Sequence, residues 1–200
     1  MINSRAANDE FYNRVLAYFG LPPMTPEQEA YSFMATAGQA LRHILPKRLH
    51  GEIDRVTRDE INYQRDILPL LRLMPGFREF ADELHDKGVL MAIATNRTDQ
   101  GVQRVLDIFL PCPPSFDPVV TASNAAPKPS PEAHCAFVRP WGMEPPECPI
   151  FVGDSVHDKE AAEAAGVTFA AFNGGGLRGR ITAPDFAVLR DALAPALAAR

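Results

Sequence analysis

Asp154, Asp158, Thr95 and Lys128 are the residues of this chain whose types and spacing could do chemistry on an anion. The two acids lie in Ile150-Phe151-Val152-Gly153-Asp154-Ser155-Val156-His157-Asp158, where an apolar run turns at Gly-Asp and a second carboxylate follows one helical turn later. Two carboxylates that close repel each other unless a proton or a cation sits between them. Oxygen ligands of this kind suit a hard divalent ion such as Mg2+. A plain structural use is equally open: Asp154 could cap the following helix and Asp158 could favour its positive end. Thr95 and Asn96, in Ala94-Thr95-Asn96-Arg97-Thr98, could offer a hydroxyl and backbone amides to a phosphate. They could also simply end a strand, with Thr98 capping the next helix. Lys128 stands between Pro127 and Pro129 on a stiffened backbone and could be aimed into a cleft or lie in solvent.

The elements that must position these residues alternate in type. Up to Met74 the pattern is helical throughout, with no strand pattern. Phe11, Val15, Tyr18 and Phe19 recur at helical spacing over Ala6 to Phe19, and Gly20 stops that helix. Thr25-Pro26-Glu27 reads as a helix start running to about Ala37. Further helices are expected over Gln39 to Leu45 and Ile53 to Arg72. After Pro75-Gly76 the pattern changes. Helices are expected over Phe77 to Asp86, Thr98 to Phe109, Pro131 to Pro140, Asp158 to Ala165 and Val188 to Ala199. Strands are expected over Val89 to Ala94, Pro118 to Ala122, Pro149 to Val152 and Val167 to Phe172. Such alternation predicts an α/β fold, a Rossmann-like parallel sheet with helices on both faces. Residues 1–74 form an α-helical domain and residues 75–200 the α/β core. Asp154, Thr95 and Lys128 then fall at the carboxyl ends of strands, where open α/β sheets hold their ligands.

Composition narrows the partners. The chain has 200 residues, 46% of them hydrophobic, enough for one core with a modest insert. Its net charge of -5 disfavours a nucleic-acid partner. No apolar run reaches the roughly 20 residues that span a bilayer, so no membrane partner is expected. The early residues lack the apolar run of a secretory signal. Cys112, Cys135 and Cys148 are odd in number and lack CxxC spacing, which fits a reduced, cytoplasmic protein.

The ordered series of hydroxyl, lysine and acidic pair resembles the haloacid dehalogenase superfamily of phosphohydrolases, on its phosphoglycolate-phosphatase-like branch. The resemblance runs over Pro75-Gly76-Phe77, Leu84, Lys87-Gly88, Ile93-Ala94-Thr95-Asn96, Lys128-Pro129 and Gly153-Asp154-Ser155-x-x-Asp158. It implies that Thr95, helped by the Asn96 backbone, binds the transferred phosphoryl group. Lys128 would neutralise charge on the phosphate and on a nucleophilic carboxylate. Asp154 would ligate Mg2+, and Asp158 would support the metal shell directly or through water. Residues up to Met74 would be a cap that closes over the site, and the substrate a small phosphorylated metabolite.

The resemblance has one departure. The family's nucleophile is the first Asp of an Asp-x-Asp-Gly-Thr motif on the first core strand, and these 200 residues contain no such motif. Met1-Ile2-Asn3-Ser4 resembles the residues directly after that motif in the family. The chain is therefore expected to begin just past the nucleophile loop, with the first core strand absent. The strands flanking the absent one must then pair with each other, twist apart or expose unpaired edges. Three functions are compatible with this: a phosphatase inactive as it stands, a catalytically dead binding or partner protein of the same fold, or another chemistry of the superfamily such as a phosphomutase or a dehalogenase, the last disfavoured because a dehalogenase needs no acidic pair as a metal site. Asp9, inside the first helix, is a solvated-face residue rather than a substitute nucleophile. Gly174-Gly175-Gly176 reads as a surface loop, with Arg178 and Arg180 solvated. His157 is expected to point to solvent. Arg42, His43, Lys47, Arg48 and His50 form a basic stretch read as a solvated face.

Overall fold

The computed structural model describes residues 1–111, 115–138, 149–173 and 175–198. The chain divides into two compact units, Met1–Met74 and Pro75–Arg200. In the first unit α1 (Arg5–Tyr18) buries Ala7, Phe11, Tyr12, Val15 and Leu16, one helical stripe. Two capping boxes set the next helices. Thr25 accepts from the Gln28 amide while the Gln28 side chain accepts from Thr25, starting α2 (Pro26–Met34). Thr36 and Gln39 do the same for α3 (Ala37–Ile44).

The single helix expected over Ile53 to Arg72 does not form. A 3-10 turn (Lys47–Glu52) leads into α4 (Ile53–Arg55), followed by π turns over Val56–Glu60 and Tyr63–Ile67 and a 3-10 turn over Leu68–Leu70. The break lies at Ile61-Asn62. The Asn62 side chain accepts from the amides of Gln64 and Arg65, while Asp66 accepts from the Asn62 amide, so a new turn starts there. The unit is not wholly helical either: β1 (Ile2–Asn3) pairs antiparallel with β2 (Arg72–Leu73). Two-residue strands give no periodicity to read.

The second unit is the α/β core. Its order is α5 (Phe77–Asp86), β3 (Ile93–Ala94), α6 (Asp99–Phe109), β4 (Val119–Val120), α7 (Glu132–Val138), β5 (Ile150–Gly153), α8 (Val156–Ala164), β6 (Thr168–Phe172), β7 (Ile181–Ala183) and α9 (Phe186–Ala198). Among the described residues its pairing is all parallel, with β3 on β4 and β5 on β6 on β7. Helices cross over between β3 and β4 and between β5 and β6, as parallel pairing requires. Strand β7 escapes the sequence pattern, and of Val89 to Ala94 only Ile93–Ala94 pairs as strand. Among the described residues β3 and β5 share no ladder, and each has one edge without a strand. Burial follows this. Phe169 to Phe172 of the central β6 are all buried, whereas Val152 on β5 is 36% exposed. Phe77, Phe80, Phe172 and Phe186 pack ring against ring between α5, α9 and β6.

The β5-to-α8 turn is built on a close approach. The Asp158 side chain lies so near Gly153 that a Cβ at 153 would stand 2.5 Å from the Asp158 Cβ. Ser155 caps α8: its hydroxyl accepts from the Asp158 amide, and Asp158 accepts from the Ser155 amide. On α7, His134 is fully buried, edge-on to Phe151 at 4.2 Å between ring centroids. Neither ring nitrogen has a hydrogen-bond partner among the described residues. Burial, aided by the nearby Lys128 charge, pushes its pKa down to about 4.

Two outcomes are expected. The His134 ring stays neutral in the fold down to about pH 4, while the unfolded chain protonates it near its ordinary 6.5. Stability should therefore fall as pH drops through that window, by on the order of 3 kcal/mol in all. Denaturant melts at a series of pH values should show this slope, and His134→Leu should flatten it. Gly153→Ala should destabilise by about 1–3 kcal/mol through overpacking against Asp158, read as a lower denaturation midpoint at unchanged slope.

Candidate active site

Three strand ends deliver the sequence-predicted residues. The last ladder bonds of β3 run from the Ile93 amide to the Pro118 carbonyl and from the Thr95 amide to the Val120 carbonyl. Alternation then turns the Ala94 carbonyl to the edge of β3 away from β4. It meets the Lys128 ammonium at 3.0 Å. Lys128 Nζ also donates to Asp158 Oδ1 at 2.6 Å, and it lies 5.4 Å from the centroid of the Phe151 ring on β5. The ion pair is shielded, with side chains only 12% and 7% exposed. Lys128 thus joins the end of β3 to the start of α8.

Asp158 is heavily engaged. Its Oδ2 accepts from the Asp154 and Ser155 amides at 3.2 and 3.1 Å and from the Ser155 hydroxyl at 2.7 Å. Burial alone would raise its pKa, but the Lys128 charge and hydrogen bond, with those from Ser155, hold it below the usual carboxylate range. Asp158 therefore both closes the capping box of α8 and pairs with Lys128. Asp154 is the open member of the pair. Its side chain is exposed to solvent, yet partial desolvation by the surrounding turn and the neighbouring Asp158 carboxylate push its pKa upward. A raised carboxylate beside a like charge is one that a cation would stabilise.

Thr95 accepts the Arg97 amide at 3.2 Å through its hydroxyl oxygen, so its hydroxyl proton can be donated elsewhere. Thr98 caps α6, accepting from the Gly101 amide. The Asn96 side chain does more than the backbone role expected of it. Its Oδ1 accepts the Lys128 amide at 2.8 Å, and its Nδ2 donates to the Lys128 carbonyl at 3.2 Å.

Several contributors lie outside the residues that type and spacing point to. Ser155 was legible as the start of a Ser-x-x-Asp box. The Ala94 carbonyl, Phe151 and His134 carry no local signal, because their roles come from contacts across the fold. His157 departs from its expected solvent position: it is half-buried in the first turn of α8, and its Nδ1 is shielded without a partner among the described residues. Arg178 and Arg180 are exposed, as are Arg42, His43, Lys47 and Arg48, while His50 is half-buried against the Leu45 carbonyl. Cys112, Cys148 and Gly174 lie outside the described residues. Among the described residues no cluster of three or more His, Cys, Asp or Glu is arranged to hold a metal by itself, and no helix is long and apolar enough to cross a membrane.

Comparison with known proteins agrees with this architecture. Residues 1–172 match the family model of haloacid dehalogenase-like hydrolases. A phosphoglycolate phosphatase of Haemophilus influenzae is 32% identical over 164 residues, 77% of this chain and 72% of that protein. Phosphoglycolate phosphatase 1 of Pseudomonas aeruginosa is 30% identical over 182 residues, 86% of this chain and 65% of that protein. Among solved structures, a HAD-superfamily hydrolase of subfamily IA from Geobacter sulfurreducens superposes with a TM-score of 0.73 at 33% identity, covering 96% of this chain and 91% of that one. A haloacid dehalogenase-like hydrolase from Streptococcus pneumoniae reaches 0.79 at 14% identity, covering 96% and 93%, a likeness of fold. With the match spanning most of the chain and the parallel core in place, the protein belongs to the haloacid dehalogenase-like hydrolase family, on its phosphoglycolate-phosphatase-like branch.

Proposed function

We propose that these residues form the phosphate-binding and metal-binding part of a Mg2+-dependent phosphatase acting on a small phosphorylated metabolite in the cytoplasm. The observation that supports it is the pair of hydrogen bonds that Lys128 Nζ donates, one to the Ala94 carbonyl at the end of β3 and one to the Asp158 carboxylate after β5. An ammonium has three donors, so one remains for a phosphoryl oxygen. The Thr95 hydroxyl proton is a second donor for the same group. Phosphoryl transfer depends on positioning and charge neutralisation more than on covalent chemistry by the protein, and these are what such donors supply.

The donor set fits a hard divalent ion at Asp154, whose ionised form the surroundings disfavour and a cation would stabilise. Asp158 fits a supporting place, since both its oxygens are already engaged. Mg2+ at Asp154 would supply charge neutralisation for the transferred phosphoryl group. The nucleophilic carboxylate of an aspartyl-phosphate route is not in the 200 residues, because Asp-x-Asp-Gly-Thr occurs nowhere in them. On this reading the carboxylate arrives on a strand that occupies the open edges of β3 and β5. It attacks phosphorus as the ester oxygen departs and takes up a proton, and water then releases phosphate. A second reading, a catalytically silent binding protein of the same fold, is favoured by the saturation of Asp158, which leaves Asp154 as the open carboxylate of the pair.

The 200-residue chain should therefore hydrolyse an aryl phosphate no faster with Mg2+ than its Lys128→Ala variant does. Removing a nucleophile that acts within a unit costs on the order of a millionfold. Turnover above that control would sink the prediction. Extending the chain at its N-terminus by an apolar strand ending in Asp-x-Asp-Gly-Thr should restore Mg2+-dependent hydrolysis. In that extended chain Asp154→Asn and Lys128→Ala should each lower kcat by about 100- to 1,000-fold. No activity in the extended chain would favour the binding protein instead.

A further inference from the structure

We propose that Asn96 is a positioning residue whose side chain fixes the Lys128 backbone, and through it the Lys128 ammonium, against the end of β3. The inference rests on the reading of Lys128 as the phosphate-neutralising cation, and it assigns to the Asn96 side chain a task separate from substrate contact. A lysine carries its charge on a flexible four-carbon stem. Holding Nζ at once 3.0 Å from the Ala94 carbonyl and 2.6 Å from Asp158 requires the base of that stem to be fixed.

The loop itself has few means of doing so. Pro127, Pro129 and Pro131 have no amide hydrogen. Between them only Lys128 and Ser130 can donate from the backbone. The Ser130 amide closes a local turn on the Pro127 carbonyl at 3.1 Å. The Lys128 amide goes to Asn96 Oδ1 at 2.8 Å, and the Lys128 carbonyl receives Asn96 Nδ2 at 3.2 Å. One primary amide thus reads both polar groups of one residue, as a neighbouring strand would. Asparagine has one acceptor and one donor group at this reach. Aspartate keeps only the acceptor, and alanine keeps neither.

The test reads the Lys128 ammonium directly and needs no turnover. The chain has four lysines, Lys47, Lys87, Lys128 and Lys159, so 15N-lysine labelling gives few ammonium signals, and loss of one in Lys128→Arg assigns it. In the wild type the Lys128 signal should be protected from hydrogen exchange. In Asn96→Ala its exchange should speed up by about tenfold or more, as expected for losing two hydrogen bonds that hold the loop. The Lys87 signal, paired with Glu83 at 2.7 Å, should stay put. Asn96→Asp should lie between. A folded Asn96→Ala whose Lys128 exchange stays within about twofold of wild type overturns the proposal. If Asn96→Ala does not fold, an unchanged Lys128 signal in Asn96→Asp overturns it. A failed phosphatase assay on the extended chain would count against the function and leave this result standing, so the two failures are distinguishable.

Discussion

The structure of the site depends on one shielded ion pair, Lys128 with Asp158. Removing two charges from water is costly, and the mutual attraction offsets that cost only when geometry and added hydrogen bonds are good. Here they are. Asp158 receives the ammonium on one oxygen and two amides and a hydroxyl on the other. Lys128 adds the Ala94 carbonyl and the Phe151 ring. Because β3 and β5 share no ladder among the described residues, this pair is what ties the end of β3 to the start of α8. Losing either partner would leave a buried charge uncompensated, a larger effect than losing a surface ion pair.

The pair in turn dictates its neighbours. Asp158 can reach Lys128 and still cap its own helix only if it folds back over the end of β5, and that leaves no room for a Cβ at 153. Ser155 is set by the same turn, since its hydroxyl both accepts the Asp158 amide and donates to the Asp158 carboxylate. Gly153, Ser155 and Asp158 are thus three consequences of one backbone turn. Asp154 is the member left over, and its open carboxylate is the part of the turn with no structural duty for its oxygens among the bonds described.

This separation explains how far the sequence could be read. Type and order pointed to Thr95, Lys128, Asp154 and Asp158, and helix and strand periodicity gave the alternating core after Pro75, because local spacing carries both signals. Contacts made at long range were not legible. Nothing in Ile2-Asn3 or Arg72-Leu73 announces a strand, since each exists only through the other. One helix is expected over Ile53 to Arg72, but the Asn62 side chain, a local competitor for backbone amides, starts a new turn inside it. His134 lies within the helix expected over Pro131 to Pro140, and its full burial, edge-on to Phe151, is a contact across the fold that local spacing does not announce. The Asn96 bonds to Lys128 join residues 32 positions apart.

Charge balance at the turn bears on the proposed metal. The single positive charge of Lys128 is already matched by Asp158, whose ionised form the surroundings favour. Asp154 adds a second negative charge that its surroundings disfavour. A phosphate monoester brings about 1.5–2 more near neutral pH. One remaining lysine donor gives that anion a hydrogen bond but no unbalanced charge, so ester and Asp154 carboxylate would repel each other across a partly shielded space. A divalent cation held by Asp154 removes both difficulties together, lowering the cost of ionising the acid and giving the ester a net positive neighbour. Need for the ion separates the two proposed functions. A site that only recognises a neutral or cationic ligand has no need of the ion, whereas one that binds and cleaves a phosphomonoester does.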